Sequence, residues 1–98
     1  MTLSSKQRSY LKSLASSLNS EFQIGKAGVT PELTQSVEEL FNNRELIKGA
    51  VLKNCDEDIR EICDTLAGRT KSIGVQTIGR KIVLYRPFDK DPEIVLPG

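Results

Sequence analysis

The chain has no histidine and no tryptophan. Without imidazole there is no Ser-His or Cys-His nucleophile pair, no histidine general base and no His-ligated metal. Aromatic residues are scarce: Tyr10, Phe22, Phe41, Tyr85 and Phe88 are the full set. Leu, Ile and Val must therefore build the core. Two cysteines, Cys55 and Cys63, stand eight positions apart. That is no metal or redox spacing, and a zinc site would need carboxylates to complete its ligands. They read as reduced thiols, one or both in the core. No segment approaches the ~18 apolar residues of a membrane span, and the opening MTLSSKQRSY lacks the apolar run of a signal peptide. The expectation is a cytoplasmic protein with no membrane partner.

What is present suits one ordinary domain. A length of 98 residues is about one unit. A chain of this size buries roughly two-thirds of its unfolded surface, enough for a core without cross-links. With 38% hydrophobic and 28% charged residues, the composition argues against disorder. Net charge is only +1, but it is unevenly placed. Residues 1–30 hold Lys6, Arg8, Lys12 and Lys26 against Glu21. Residues 31–68 hold four basic and nine acidic side chains. Residues 69–86 hold Arg69, Lys71, Arg80, Lys81 and Arg86 with no acid. If the fold joins the two basic segments, one face is positive and suited to a polyanion.

Ser4-Ser5-Lys6-Gln7 fits a capping box, and Tyr10, Leu11, Leu14, Ala15 and Leu18 recur at helical spacing. A helix over about residues 5–18 is predicted. Glu21 to Ile24 alternates as a short strand. Thr30 as N-cap, Pro31 at the first helical position and Glu32 in the first turn mark a second helix, closed by Asn42-Asn43. Glu45 to Leu52 reads as a strand. Asn54 or Asp56 is the expected cap of a third helix, which Gly68 should stop. Ser72 to Ile78 and Lys81 to Arg86 read as a hairpin turned at Gly79-Arg80. The order α-β-α-β-α-β-β predicts an α/β fold. It is a single compact domain over residues 1–86, with three helices on a four-stranded mixed sheet. Residues 87–98 read as a C-terminal tail, draped on the body.

The most informative stretch is Ile24-Gly25-Lys26-Ala27-Gly28-Val29-Thr30-Pro31. A strand ends in a G-x-x-G turn that enters a well-capped helix. Paired glycines permit positive φ and close approach of another chain. A helix N-terminus offers free N–H groups to an anion, and Lys26 adds a full charge. KH domains hold a nucleic-acid backbone on such a loop. The bland alternative is a plain strand-to-helix turn with a surface lysine. Walker A spacing is absent, as is the third glycine of a dinucleotide fingerprint. The acidic cluster Asp56-Glu57-Asp58-Glu61 lacks Ca²⁺-loop spacing and reads as a solvated helix start. On the last strand Lys81, Val83 and Tyr85 should share one face, and Ile82, Leu84 and Arg86 the other. A basic residue beside a tyrosine can meet a sugar–phosphate backbone or stack on a base. Equally, these are ordinary edge-strand charges.

Taken together, these motifs resemble the CRM domain, the RNA-binding module of chloroplast splicing and ribosome maturation factors, in its short stand-alone bacterial, YhbY-like form. The landmarks are Leu11-Lys12, Ile24 to Thr30, Glu45-Leu46-Ile47-Lys48, and Gln76 through Arg86. Ala27 and Arg44 depart from the family pattern, whereas Gly25 and Gly28 are in place. The resemblance covers about residues 3–86. It implies a fold like the C-terminal domain of bacterial translation initiation factor three. It also implies a non-catalytic RNA-binding protein without cofactor, metal or small-molecule substrate. Its setting would be ribosome biogenesis, on ribosomal RNA in precursors of the large subunit.

The expected RNA-contact set is Gly25, Lys26, Ala27 and Gly28, with Lys12, Lys48, Arg80, Lys81 and Arg86 on the same side of a monomer. The acidic Glu57 and Asp58 should lie elsewhere. The competing reading is a protein-interaction adaptor that uses the acidic middle helices.

Overall fold

Ser4 caps the first helix of the computed structural model, which describes residues 2–98. Its side chain accepts the Gln7 N–H at 3.1 Å, and Gln7 Oε1 accepts the Ser4 N–H at 3.0 Å, so the capping box is complete. The elements follow in the expected order. They are α1 Ser5–Ala15, β1 Phe22–Ile24, α2 Pro31–Phe41, β2 Leu46–Val51, α3 Ile59–Thr70, β3 Ile73–Ile78 and β4 Lys81–Tyr85. The sheet runs β1-β2-β4-β3. β1 pairs with β2 in parallel, and β4 is antiparallel to both β2 and β3, so the sheet is mixed.

Alternation along the strands feeds two cores, one on each side of the sheet. Phe22, Ile24, Ile47, Val51, Ile82 and Leu84 meet Val37 and Phe41 of α2 and Ile62, Cys63, Leu66 and Ala67 of α3. Leu46, Val83, Tyr85 and Val75 meet Leu11 and Ala15 of α1. The division of β4 into these two faces is the one its sequence predicts. Gly49 is required by packing, because the Phe22 ring occupies the space a Cβ would take.

Several boundaries differ from the sequence reading. α1 ends at Ala15, with Ser16 as its cap, not near Leu18. α3 is capped by Asp58, not by Asn54 or Asp56: Asp58 Oδ1 accepts the N–H groups of Arg60 at 2.8 Å and Glu61 at 3.3 Å. Gly68 does not stop α3. It sits inside the helix, and the left-handed cap falls on Lys71 at φ 54°. Thr70, buried in the last turn, returns its hydroxyl to Leu66 O at 2.8 Å. β3 carries a bulge between Gly74 and Gln76, which the sequence reading did not anticipate although an isolated glycine inside a strand is its usual sign.

The tail after β4 is built into the body. Glu45 is only 4% exposed, and its carboxylate accepts three tail N–H groups: Phe88 at 2.8 Å, Glu93 at 2.9 Å and Ile94 at 2.7 Å. Gln7 Nε2 donates to Pro97 O at 3.1 Å, and Ile94 and Leu96 pack on the α1 core. A buried carboxylate would be costly without these donors. Glu45 and the tail therefore satisfy one another.

Candidate nucleic-acid interface

Because β1 and β2 are parallel, both reach the same end of the sheet. Lys81 pairs with Ala50, so the β3–β4 turn lies at that end as well. Three connections converge there: the glycine loop, the β2–α3 segment and the Gly79-Arg80 turn. Gly25 O accepts the Gly28 N–H at 3.0 Å, closing a turn with Lys26 and Ala27 at its tip, both exposed. Gly28 has φ +71°, a conformation that costs an L-residue about 1–2 kcal/mol. α2 follows at once, with the Thr30 hydroxyl accepting the Leu33 N–H at 3.0 Å.

Two arginines brace this end. Arg69 Nη1 donates to Val29 O at 3.2 Å, tying the C-terminal part of α3 to the loop. Arg80 Nε donates to Val51 O at 2.9 Å, and its Nη2 reaches the carbonyls of Leu52 and Cys55. Leu52 N in turn donates to Ile24 O at 2.8 Å, just before Gly25. Arg80 is thus at the expected end, but its guanidinium joins the hairpin turn to the β2–α3 segment. Sequence spacing could not foresee that bond across 28 residues.

The other expected contacts divide. Lys81 is exposed, its Nζ 3.0 Å from Ser20 Oγ. Lys48, half-buried, places Nζ 3.4 Å from Ala15 O, at the carbonyl end of α1 where a cation is favoured. Lys12 is exposed on α1 and lines a groove with Arg60, Asp64 and the β3 stretch Gly74 to Thr77. Arg86 is not gathered with them. It lies at the opposite end of β4, paired with Glu38 at 2.9 Å, donating to Thr70 O at 2.8 Å and stacked 4.7 Å from the Phe41 ring centre. Tyr85 is 2% exposed beneath α1, so it cannot stack on a base. Lys53, exposed in the β2–α3 segment, belongs to the loop end, although the sequence reading passed over it.

Glu57 does not lie elsewhere. Its carboxylate packs on Gly28, in the space a Cβ there would fill. Asp58, the α3 cap, stands next to it in the chain. The glycine loop therefore has an acidic neighbour on its α3 side. Cys63 is buried under Gly74, and burial, with a smaller contribution from Asp64, pushes its thiol up to about 11. Such a thiol is protonated and inert at neutral pH. Among the described residues no helix is long and apolar enough to cross a membrane.

Known proteins resemble this chain in sequence and fold. The family described as the CRS1 / YhbY (CRM) domain matches residues 3–86. The Probable RNA-binding protein YqeI of Bacillus subtilis is 41% identical over 95 residues, covering 97% of this chain and 99% of that protein. An RNA-binding protein of Haemophilus influenzae is 40% identical over 96 residues, covering 98% of this chain and 96% of its own. The solution structure of the hypothetical protein SAV1595 from Staphylococcus aureus superposes with a TM-score of 0.84 at 43% identity. It covers 98% of this chain and all of that one.

Proposed function

The chain belongs to the CRS1 / YhbY (CRM) domain family, and from that premise we propose that it is a non-catalytic RNA-binding protein. RNA backbone sits on the glycine loop, and the lysines at that end of the sheet supply the charge. The observation that carries this reading is the Gly25–Gly28 turn. It holds Lys26 out at its tip and runs directly into the capped N-terminus of α2. Phosphate is the ligand such a turn suits, through backbone N–H groups, the helix dipole and one flexible cation. The contact set is Gly25, Lys26, Ala27 and Gly28 with Lys53 and Lys81. Arg80 holds the frame, and Lys12 and Lys48 extend the basic side along α1.

The names of the relatives support RNA as the polymer. The setting is ribosome assembly, on ribosomal RNA of the large-subunit precursor in the cytoplasm, with the protein acting as a monomer. A Lys26-Ala27→Asp-Asp variant tests the reading. It should keep the wild-type far-UV circular dichroism and lose most affinity for ribosomal RNA fragments. Binding should also weaken with salt, at a slope of about −0.7 per single-strand phosphate contact. Unchanged affinity in the folded variant would remove the loop from the site.

A further inference from the structure

The side of the sheet that α1 packs on is not covered to its end. Residues opposite one another in register point to the same face. Gln23 pairs with Ala50, Ala50 with Lys81, and Lys81 with Ile78, giving one row across all four strands. The next row on that face carries Lys48, Val83 and Gln76. Val83 is fully covered, whereas Ile78 is 57% exposed, so the cover ends between these rows. Leu52, 37% exposed, lies just past β2, with Cδ1 3.8 Å from where a Cβ on Gly25 would stand. Only four large apolar side chains of the described chain are exposed, and two of them, Leu52 and Ile78, fall here.

We infer that this row is a docking ledge for the bases of a single-stranded RNA segment whose backbone lies on the glycine loop. The inference rests on the RNA-binding reading and deepens it by naming the form of RNA. Four strands at about 4.8 Å spacing make a ledge about 15 Å wide, room for two or three unstacked bases. Lys81 at its centre, with Lys26 and Lys53 in the neighbouring loops, matches the charge of the backbone. Leu52 and Ile78 offer aliphatic surface to base faces, and Gln23 offers both a donor and an acceptor to base edges. A duplex hides its bases and would set phosphates against those two side chains, so it fits the ledge poorly.

The experiment measures binding of an unstructured RNA 12-mer and of the corresponding RNA duplex. The proteins are wild type, Leu52→Ala/Ile78→Ala, and Val95→Ala as a control at an exposed apolar position in the tail. Both ledge residues are exposed, so the double variant should fold, and circular dichroism checks it. Wild type should prefer the single strand. The ledge variant should lose about tenfold for it, with an unchanged salt slope because no charge is removed. Val95→Ala should bind as wild type does. Equal wild-type affinity for strand and duplex, or an unchanged ledge variant, overturns the ledge and leaves the loop reading standing; the second result would mark the apolar row as a surface for something other than RNA. If wild type binds neither probe at low salt, the RNA-binding reading falls and the ledge falls with it.

Discussion

The two ends of the sheet carry similar charged residues and use them in opposite ways. At the glycine-loop end, Lys26, Lys53 and Lys81 are exposed, and none is in an ion pair among the described residues. At the tail end, Arg86 is held by Glu38, Thr70 O and the Phe41 ring, and Glu45 is enclosed by three tail N–H groups. The loop end keeps three free lysines beside its two bracing arginines, whereas at the tail end Arg86 and Glu45 are both bound into the fold. A count of basic residues cannot distinguish these uses, but the partners of each side chain can.

Glu45→Ala should do the most damage. It removes an ionised acceptor and leaves three backbone donors facing a cavity, and charged hydrogen bonds are the strong ones. We expect a loss of about 3 kcal/mol in urea unfolding and faster proteolysis of residues 87–98. RNA affinity of the fraction still folded should be unchanged. If stability is unaffected, the tail is not fastened as described, and the contrast between the ends collapses.

This fastening also shows where sequence reading stops. Elements announced by neighbours in the chain were legible: the Ser4–Gln7 box, the Thr30-Pro31 entrance and the division of β4 into two faces. So was the glycine turn, because its signal lies within four residues. Bonds between distant residues were not. Glu45 reads as an acid opening a strand, and its partners stand 43 to 49 positions later. Arg86 and Lys81 look alike in a basic hairpin until Glu38 and Phe41 are brought to one of them. Asn54 and Asp56 are the caps the local sequence suggests, yet the helix starts later and takes Asp58. Gly68 carries the usual stop signal, yet the chain takes its left-handed residue at Lys71.

Raising the pH should weaken the tail end and its underlying core. Burial raises the Tyr85 hydroxyl above its ordinary value, and nearby Glu45 adds to this. Burial raises Cys63 from 9.0 to about 11. Both groups hold their proton more tightly when folded. Their stabilising contribution is therefore complete below the unfolded values and is lost as pH climbs through the folded ones. For Cys63 the decline runs from about pH 9 to 11 and amounts to about 3 kcal/mol. Thermal melts of wild type and Cys63→Ala across that range should converge at high pH. A decline identical in slope for the two proteins would clear the thiol of any part in it.

Substitution of cations at each end sharpens the comparison. Arg86→Ala should cost about 1.5 kcal/mol through its lost partners and leave the RNA affinity of the folded protein near wild type. Lys26→Glu with Lys81→Glu should do the reverse. Melting should move little, because both side chains are exposed. RNA affinity should fall about tenfold or more, since each swap removes an attraction and adds a repulsion. Should Arg86→Ala abolish binding without loss of stability, the basic end has been assigned to the wrong side of β4.

The smallest effect concerns Glu57, the acid that packs on the glycine loop itself. Glu57 rests on Gly28, beside the position proposed for a phosphate. A carboxylate there repels the backbone it adjoins, but both are near water and screened by salt. Glu57→Gln keeps the shape and removes the charge, so RNA affinity should rise only about threefold at low salt, and less as salt increases. The control must change charge equally without touching the loop or the helix. Asp58→Asn is unsuitable, because Asp58 caps α3. Asp56→Asn is suitable, being exposed and outside the cap. An equal gain from both variants would assign the effect to the general field of the acidic segment. A gain confined to Glu57→Gln would place its carboxylate in direct competition with RNA for the glycine loop.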